Sequence, residues 1–135
     1  MARRGLDLLV VVDPANMYYL TGYDAWSFYV PQAVLLPVDS GQAPLWVGRG
    51  MDAPSAVITT NLPRENILSY ADDYVESTTS HPMQYVAQVI TERGWSAQRI
   101  GYESDAYYFS AKFLEVLRAS LPTASLVDAY LVVQW

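Results

Sequence analysis

The apolar run near the start of the chain constrains the fold most. Residues 6–12 read L-D-L-L-V-V-V, which is the Val- and Leu-rich composition of a buried β-strand. Asp13 and Pro14 follow, and proline has no N–H for a strand ladder and restricts the residue before it. We therefore expect the strand to end there. Asp13 is placed to cap a short helix over residues 14–20, which Thr21 and Gly22 end.

The segment that follows this strand is dense in aromatic side chains. Residues 13–32 contain six rings, at Tyr18, Tyr19, Tyr23, Trp26, Phe28 and Tyr29. Large rings with polar tips are typical of interfaces and small-molecule pockets, although half of them could simply fill the core. If residues 26–31 form a strand, alternation places Trp26, Phe28 and Val30 on one face. Ser27, Tyr29 and Pro31 then occupy the other, so only one aromatic set could be buried.

The middle of the chain predicts a β-hairpin and a further short helix. The apolar runs 30–38 and 44–47 flank the turn residues 39–42, a pattern typical of a hairpin. Asp52 and Pro54 predict a short helix running toward Thr60, with Asp52 as its N-cap. A strand is expected over residues 66–70, followed by a polar, acidic loop over residues 71–79.

The second half of the chain predicts two amphipathic helices, each followed by a strand. The first begins at His81-Pro82, places four apolar residues on one face (Met83, Val86, Val89 and Ile90) and ends at Gly94. Ser110 caps the second, whose stripe is Phe113, Leu114, Leu117 and Leu121. Strands are expected over residues 99–103 and 125–128. The fold class is therefore α/β, a layered domain with a mixed, partly parallel sheet flanked by amphipathic helices.

Composition excludes several classes of protein. The 135 residues suit one domain, and 52% hydrophobic with 16% charged residues is far from the composition of disorder. A net charge of −6 with scattered basic residues argues against nucleic-acid binding. No run approaches the ~20 apolar residues of a membrane span, and Asp7 interrupts the one signal-like stretch. The absence of cysteine excludes disulfides and thiolate chemistry and is compatible with the cytoplasmic location that we expect.

Three motifs together carry a family resemblance. D-P-A-N-M-Y-Y-L-T-G-Y at 13–23, I-G-Y-E-S-D at 100–105 and L-V-D-A at 126–129 resemble the N-terminal domain of the creatinase/prolidase family of C–N bond hydrolases, which are pita-bread, Xaa-Pro peptidase-like proteins. The aromatic loop is most similar to the branch that contains the ectoine hydrolases. The resemblance implies that residues 1–135 form one creatinase N-terminal-type domain of a longer hydrolase. The catalytic C-terminal domain would be absent from this chain.

The two ends of the chain agree with that expectation. Residues 1–5 look like the last turn of a helix that begins upstream, and residues 131–135 end on an apolar V-V-Q-W sequence in which a terminal tryptophan suggests a missing neighbour.

The resemblance also implies a role for the aromatic loop. In creatinase-like dimers this loop reaches the active site of the neighbouring subunit, so Asp24, Trp26, Phe28 and Tyr29 are the candidate substrate-binding residues. No catalytic residue, metal ligand or cofactor is expected in this domain, and whether the parent needs a metal is open. The implied partners are the parent's catalytic domain, a second subunit in a homodimer and the small-molecule substrate of that subunit. Neither nucleic acid nor membrane is an expected partner.

The charge pattern of the loop departs from that of creatinase. Creatinase carries a loop arginine that holds the substrate carboxylate, whereas residues 23–32 contain no basic residue. The three rings suit a compact, partly cationic ring such as ectoine, with Asp24 as a possible charge partner.

Other polar residues have structural interpretations with functional alternatives. His81 precedes a proline at a helix start, where capping is favoured over catalysis. Asp72, Asp73 and Glu76 read as a solvated loop, with a weak divalent-cation site as the alternative. Arg49 lies between two glycines, which indicates a turn, with anion binding as the alternative.

Three functions remain open. The first, which we favour, is a noncatalytic dimerisation and substrate-access domain of a hydrolase that acts on ectoine or a similar small cyclic or amidine substrate. Alternatively, the chain is the same domain of a metal-dependent Xaa-Pro aminopeptidase or dipeptidase. A third possibility is a free-standing small-molecule binding or interaction module.

Overall fold

The structure, a computed structural model, describes residues 4–39 and 41–134. Strands and α-helices follow one another in the predicted order. They are β1 (Leu8–Val11), α1 (Pro14–Thr21), β2 (Ala33–Pro37), β3 (Leu45–Arg49), α2 (Ala53–Thr59), β4 (Ile67–Tyr70), α3 (Pro82–Glu92), β5 (Arg99–Tyr102), α4 (Ala111–Ser120) and β6 (Ser125–Asp128).

The strands form one mixed sheet, which confirms the predicted α/β fold class. Their order is β4-β3-β2-β1-β5-β6. Strand β2 pairs antiparallel with β1 and with β3, whereas the β1–β5, β5–β6 and β3–β4 pairs are parallel. All strands except β2 therefore point in the same direction, and their carboxyl ends meet at one edge of the sheet.

Helices cover both faces of the sheet. Alternate residues of β1 point to opposite faces, and both sets are buried under helices. Leu8 and Val10 pack in a core with residues of α3 and α4. Leu9 and Val11 pack in a second core with Met17 of α1 and other residues near α2. Strand β1 is fully buried, as its composition predicts.

The predicted helix starts are mostly confirmed. The Asp13 carboxylate accepts a hydrogen bond from the Asn16 N–H (3.1 Å), and Gly22 ends α1 in the left-handed conformation at φ +78°. His81 caps α3, because its Nδ1 accepts from the Met83 N–H (3.1 Å) while the Gln84 Oε1 accepts from the His81 N–H (2.9 Å). The Ser110 hydroxyl caps α4.

The prediction that Asp52 caps α2 is wrong. Its side chain makes no capping bond, because its carboxylate instead accepts a hydrogen bond from the Gln32 amide (3.0 Å). The Gln32 side chain, twenty residues away, has replaced the N–H groups of α2 as the hydrogen-bond donor to Asp52.

The second strand begins later than its apolar run suggests. Residues 22–32 are irregular, and Pro31 has no N–H to pair at the start of the strand. The expected aromatic loop is therefore confirmed, and the alternating faces of a strand over residues 26–31 do not apply. Val30 is 6% exposed, whereas Trp26 and Phe28, which alternation would place beside it, are 51% and 70% exposed.

Parts of the terminal predictions lie outside the described residues, namely Met1, Ala2, Arg3 and Trp135. Near the C-terminus, Val132 and Val133 are partly buried against the core that contains α1. Within the described ranges, no helix has the length and apolarity needed to cross a membrane.

Candidate functional site

The aromatic loop lies at the edge where the parallel strands end. Strands β1 and β5 end there, at Val11 and Tyr102, and the loop enters the antiparallel strand β2 from the same side. In α/β proteins, ligands bind outside the carboxyl ends of the strands, because the connecting loops there can vary without disturbing the sheet.

A buried carboxylate joins the ends of the strands to α1 at this edge of the sheet. Glu103, which follows β5 and is 1% exposed, accepts hydrogen bonds through Oε2 from the N–H groups of Val12 (2.7 Å) and Asp13 (2.8 Å). Its Oε1 accepts from the Asn16 side-chain amide (2.6 Å). Burial raises the pKa of Glu103, and the three donors oppose that rise. The D-P-A-N and Y-E motifs therefore meet in one structural clamp that joins β1, α1 and β5.

The loop itself is anchored by polar side chains. The Gln32 Oε1 accepts from the Ser27 N–H (3.1 Å), and its amide donates to Asp52. The Tyr70 hydroxyl donates to the Pro31 carbonyl. These bonds hold residues 27–32 without a strand ladder.

Tyr23 belongs to the core rather than to the loop surface. It is buried against Trp46, with the ring centroids 5.4 Å apart. Burial, with the nearby Asp52 carboxylate, raises the pKa of Tyr23 to about 12.

Trp26, Phe28 and Tyr29 border a cleft of about 370 Å³. The Trp26 ring lies 5.1 Å from that of Phe28 and 5.9 Å from that of Tyr108, and Tyr107 stacks edge-on against Tyr108 at 5.1 Å. Val12, Pro14, Met17, Ser110 and Phe113 also line the cleft. Rings of the loop and the rings of Tyr107 and Tyr108 thus line one space that is large enough for a small molecule.

Tyr29 is held from outside the loop. Its hydroxyl accepts a hydrogen bond from Arg49 Nη1 (3.1 Å), while Arg49 Nε and Nη2 grip the Asp72 carboxylate at 2.7 and 3.1 Å. These hydrogen bonds hold the pKa of Asp72 below its ordinary value. The structure therefore commits Arg49 to two protein partners at the end of β3, and Asp72 is ion-paired rather than simply solvated.

The described lining of the cleft is largely apolar and aromatic. That lining contains no carboxylate, imidazole, amine or guanidinium. Over residues 4–39 and 41–134, no cluster of three or more His, Asp or Glu side chains could hold a metal ion. Aromatic faces at this edge can bind a flat or cationic ring through apolar and cation–π contact.

The structure brings together three of the four predicted binding residues. Trp26, Phe28 and Tyr29 line the cleft, whereas Asp24 is exposed outside its lining, where its N–H donates to the Thr59 hydroxyl (3.2 Å) near the end of α2. Sequence reasoning missed Tyr107 and Tyr108. Their signal was the Y-Y-F sequence at 107–109, a second aromatic group just after the Y-E motif.

Fold and site together define a three-layer α/β domain with a ligand-sized aromatic cleft at the carboxyl edge of its sheet. The creatinase/prolidase N-terminal domain family matches residues 1–135, and the chain belongs to this family. It is 48% identical over 136 residues to the ectoine hydrolase of Halomonas elongata, in a match that covers 100% of this chain and 34% of that protein. It is 44% identical over 135 residues to y4tM, an uncharacterized hydrolase/peptidase of Sinorhizobium fredii, again covering 100% and 34%.

Solved structures share the fold. The N-terminal domain of an Xaa-Pro dipeptidase from Lactobacillus brevis superposes with a TM-score of 0.76 at 17% identity, covering 98% of this chain and 91% of that one. A proline dipeptidase structure from Streptococcus pneumoniae gives 0.74 at 20% identity, covering 98% and 87%. The chain spans about a third of the length of the curated relatives that it matches.

Proposed function

We propose that this chain is the noncatalytic N-terminal domain of a C–N bond hydrolase, and that it supports dimer formation and substrate access. The parent would carry its catalytic residues in a C-terminal domain and act in the cytoplasm on ectoine or a similar small cyclic or amidine substrate. The aromatic cleft would cover the substrate in the active site of the neighbouring subunit.

One observation carries this proposal. Trp26, Phe28 and Tyr29 are 51%, 70% and 64% exposed at a single edge, although burying such rings would normally stabilise the fold. The cleft that they border lacks acid–base groups in its described lining, so it would need chemistry from another domain. The 48% identity to an ectoine hydrolase supports the choice of substrate.

The cleft also suits the proposed substrate class. A compact amidine is flat and partly cationic, and it gains from aromatic faces through cation–π contact. Asp24 remains a proposed charge partner, although its position outside the cleft lining makes it the weakest member of the proposed set.

The test uses the full-length hydrolase with Trp26→Ala. Loss of a desolvated cation–π and apolar contact of ~1.4–2.8 kcal/mol lowers kcat/KM for ectoine about ten- to a hundredfold. Tyr19→Ala is the matched control, because Tyr19 is an exposed ring on α1 that does not line the cleft. It should leave kcat/KM within about twofold.

Two outcomes would contradict the proposal. An unchanged kcat/KM for ectoine in Trp26→Ala would remove the loop from the substrate site. Turnover of Xaa-Pro dipeptides but not of ectoine would replace the substrate and favour a peptidase parent. Dimer formation is checked separately by sedimentation of the full-length protein.

A further inference from the structure

A second cavity of about 190 Å³ adjoins the aromatic cleft. The two spaces share four lining residues, Tyr29, Val30, Pro31 and Phe113. Val30 is buried, and the Pro31 carbonyl is held by the Tyr70 hydroxyl. Tyr29 is the most exposed of the four, so its ring is the part of the boundary that could move.

Tyr29 is fixed at this boundary by one hydrogen bond, from Arg49 Nη1 to its hydroxyl. The bidentate Arg49–Asp72 pair fixes the guanidinium in turn, because a planar fork gripped at two atoms cannot rotate freely. The Tyr29 ring is therefore held at the boundary that the two cavities share, and we call it the partition.

The second cavity has a carboxylate and an imidazole in its lining, which the described lining of the aromatic cleft lacks. Glu76, Ser77, Ser80 and His81 line it together with Tyr74 and Val75, and no lysine or arginine belongs to its described lining. The Ser77 hydroxyl already accepts from the N–H of Ser80 (3.1 Å), and His81 Nδ1 is used in capping. The Glu76 carboxylate is the one carboxylate of this lining, and it accepts no hydrogen bond from, and forms no ion pair with, any residue that the structure describes.

The backbone at Glu76 is unusual as well. Its φ of +49° lies in the left-handed region, where a residue with a Cβ costs roughly 1 kcal/mol or more. A residue kept in a strained backbone conformation beside a cavity is a reason to test the cavity for ligand binding.

We propose that this cavity is a second subsite that takes a cationic nitrogen group, an ammonium or amidinium, through Glu76, and that Tyr29 limits access to it from the aromatic cleft. The inference rests on the proposed function, because it extends the same cleft. It predicts that the partition sets the length of substrate that the cleft accepts.

The binding test uses the 135-residue chain and n-butylamine, which is an ammonium ion at pH 7, with 1-butanol as its neutral isostere. Backbone amide NMR shifts of Glu76, Ser77 and His81 report occupancy. Saturable shifts with roughly millimolar affinity are expected for butylammonium. Glu76→Gln should weaken that binding about fivefold, as expected for an exposed charge pair. Glu65→Gln removes the same charge away from the cavity and should not change the affinity.

Equal binding of butanol, or unchanged affinity in Glu76→Gln, would overturn the subsite. This test involves no turnover, so an inactive parent would defeat the proposed function and leave the binding test intact.

A second measurement addresses the partition in the full-length hydrolase. Tyr29→Ala should raise about tenfold the ratio of kcat/KM for an aminopropyl-extended substrate to that for the unextended one. A ratio that does not change, or that rises equally in Tyr29→Phe, would refute the partition, since phenylalanine keeps the ring.

Discussion

Removal of the Glu103 carboxylate tests whether the family motifs form a structural clamp. In Glu103→Ala, the N–H groups of Val12 and Asp13 and the Asn16 amide lose their acceptor. An unsatisfied buried donor costs ~1–3 kcal/mol. Because the site lies at the edge of the sheet and water can partly enter the vacated space, we expect a total loss of about 3–5 kcal/mol. A domain of this size has only ~5–15 kcal/mol of stability.

Glu103→Gln removes the negative charge but can keep the hydrogen bonds. The glutamine oxygen can keep the two backbone donors, and the Asn16 amide can turn over to present its oxygen to the new NH₂ group. All three hydrogen bonds survive in neutral form. A loss of ~1–2 kcal/mol is therefore expected, because bonds to charged groups exceed neutral ones by about that much.

Urea unfolding of the 135-residue chain measures both values. Glu115→Ala is the control, because among the described residues Glu115 bonds only to Lys112, in an exposed ion pair on α4. This substitution should change stability by less than ~0.5 kcal/mol. If Glu103→Ala costs less than ~1 kcal/mol, or no more than Glu103→Gln, the clamp does not contribute what its geometry implies.

Two further predictions concern capping and packing. His81 is the chain's one histidine. Burial, together with the nearby Lys112, lowers the pKa of His81 in the folded state, so folding favours the neutral imidazole. The stability that this neutral form contributes should be present above pH ~6.5 and be lost as pH falls through the lowered pKa. His81→Asn keeps a side-chain acceptor for the cap but has no group that titrates. The unfolding free energy of the unsubstituted chain, measured in urea, should therefore fall relative to that of the variant between pH 7.5 and pH 5. An equal pH dependence of the two free energies would contradict this account. A Cβ at Gly101 would lie 2.7 Å from the Ala129 Cβ, so Gly101→Ala should cost ~1–3 kcal/mol by overpacking. At Gly50 the nearest atom is 3.7 Å away, so Gly50→Ala should cost well under 1 kcal/mol in the same assay, and equal costs would refute the packing argument.

Elements whose signals are local were predictable from the sequence. Helix α3 was specified by a proline at its start, one apolar face and Gly94 at its end, and β1 by an unbroken apolar run. Each signal acts through neighbours within about four residues, so the fold around it hardly changes the outcome.

Predictions failed where a distant partner outcompeted the local one. Asp52 had the sequence context of an N-cap, yet Gln32, twenty residues away, takes its carboxylate. Residues 26–31, by contrast, form the loop that the sequence indicated, and Pro31 and the hydrogen bond from the Ser27 N–H to Gln32 hold them in it. The Y-Y-F sequence at 107–109 indicates a second aromatic group, but only the folded structure brings Tyr107 and Tyr108 to the same cleft as Trp26.

The sequence by itself determined the strands, the helices and the presence of an aromatic group, because periodicity and capping are properties of neighbouring residues. Only the tertiary structure decided which rings are buried and which border the cleft. Tyr23 packs on Trp46 while Trp26 faces Tyr108, and these pairings join residues that are 23 and 82 positions apart. Burial of a ring depends on what the folded chain brings against it, and that information lies in the packing of the sheet and helices.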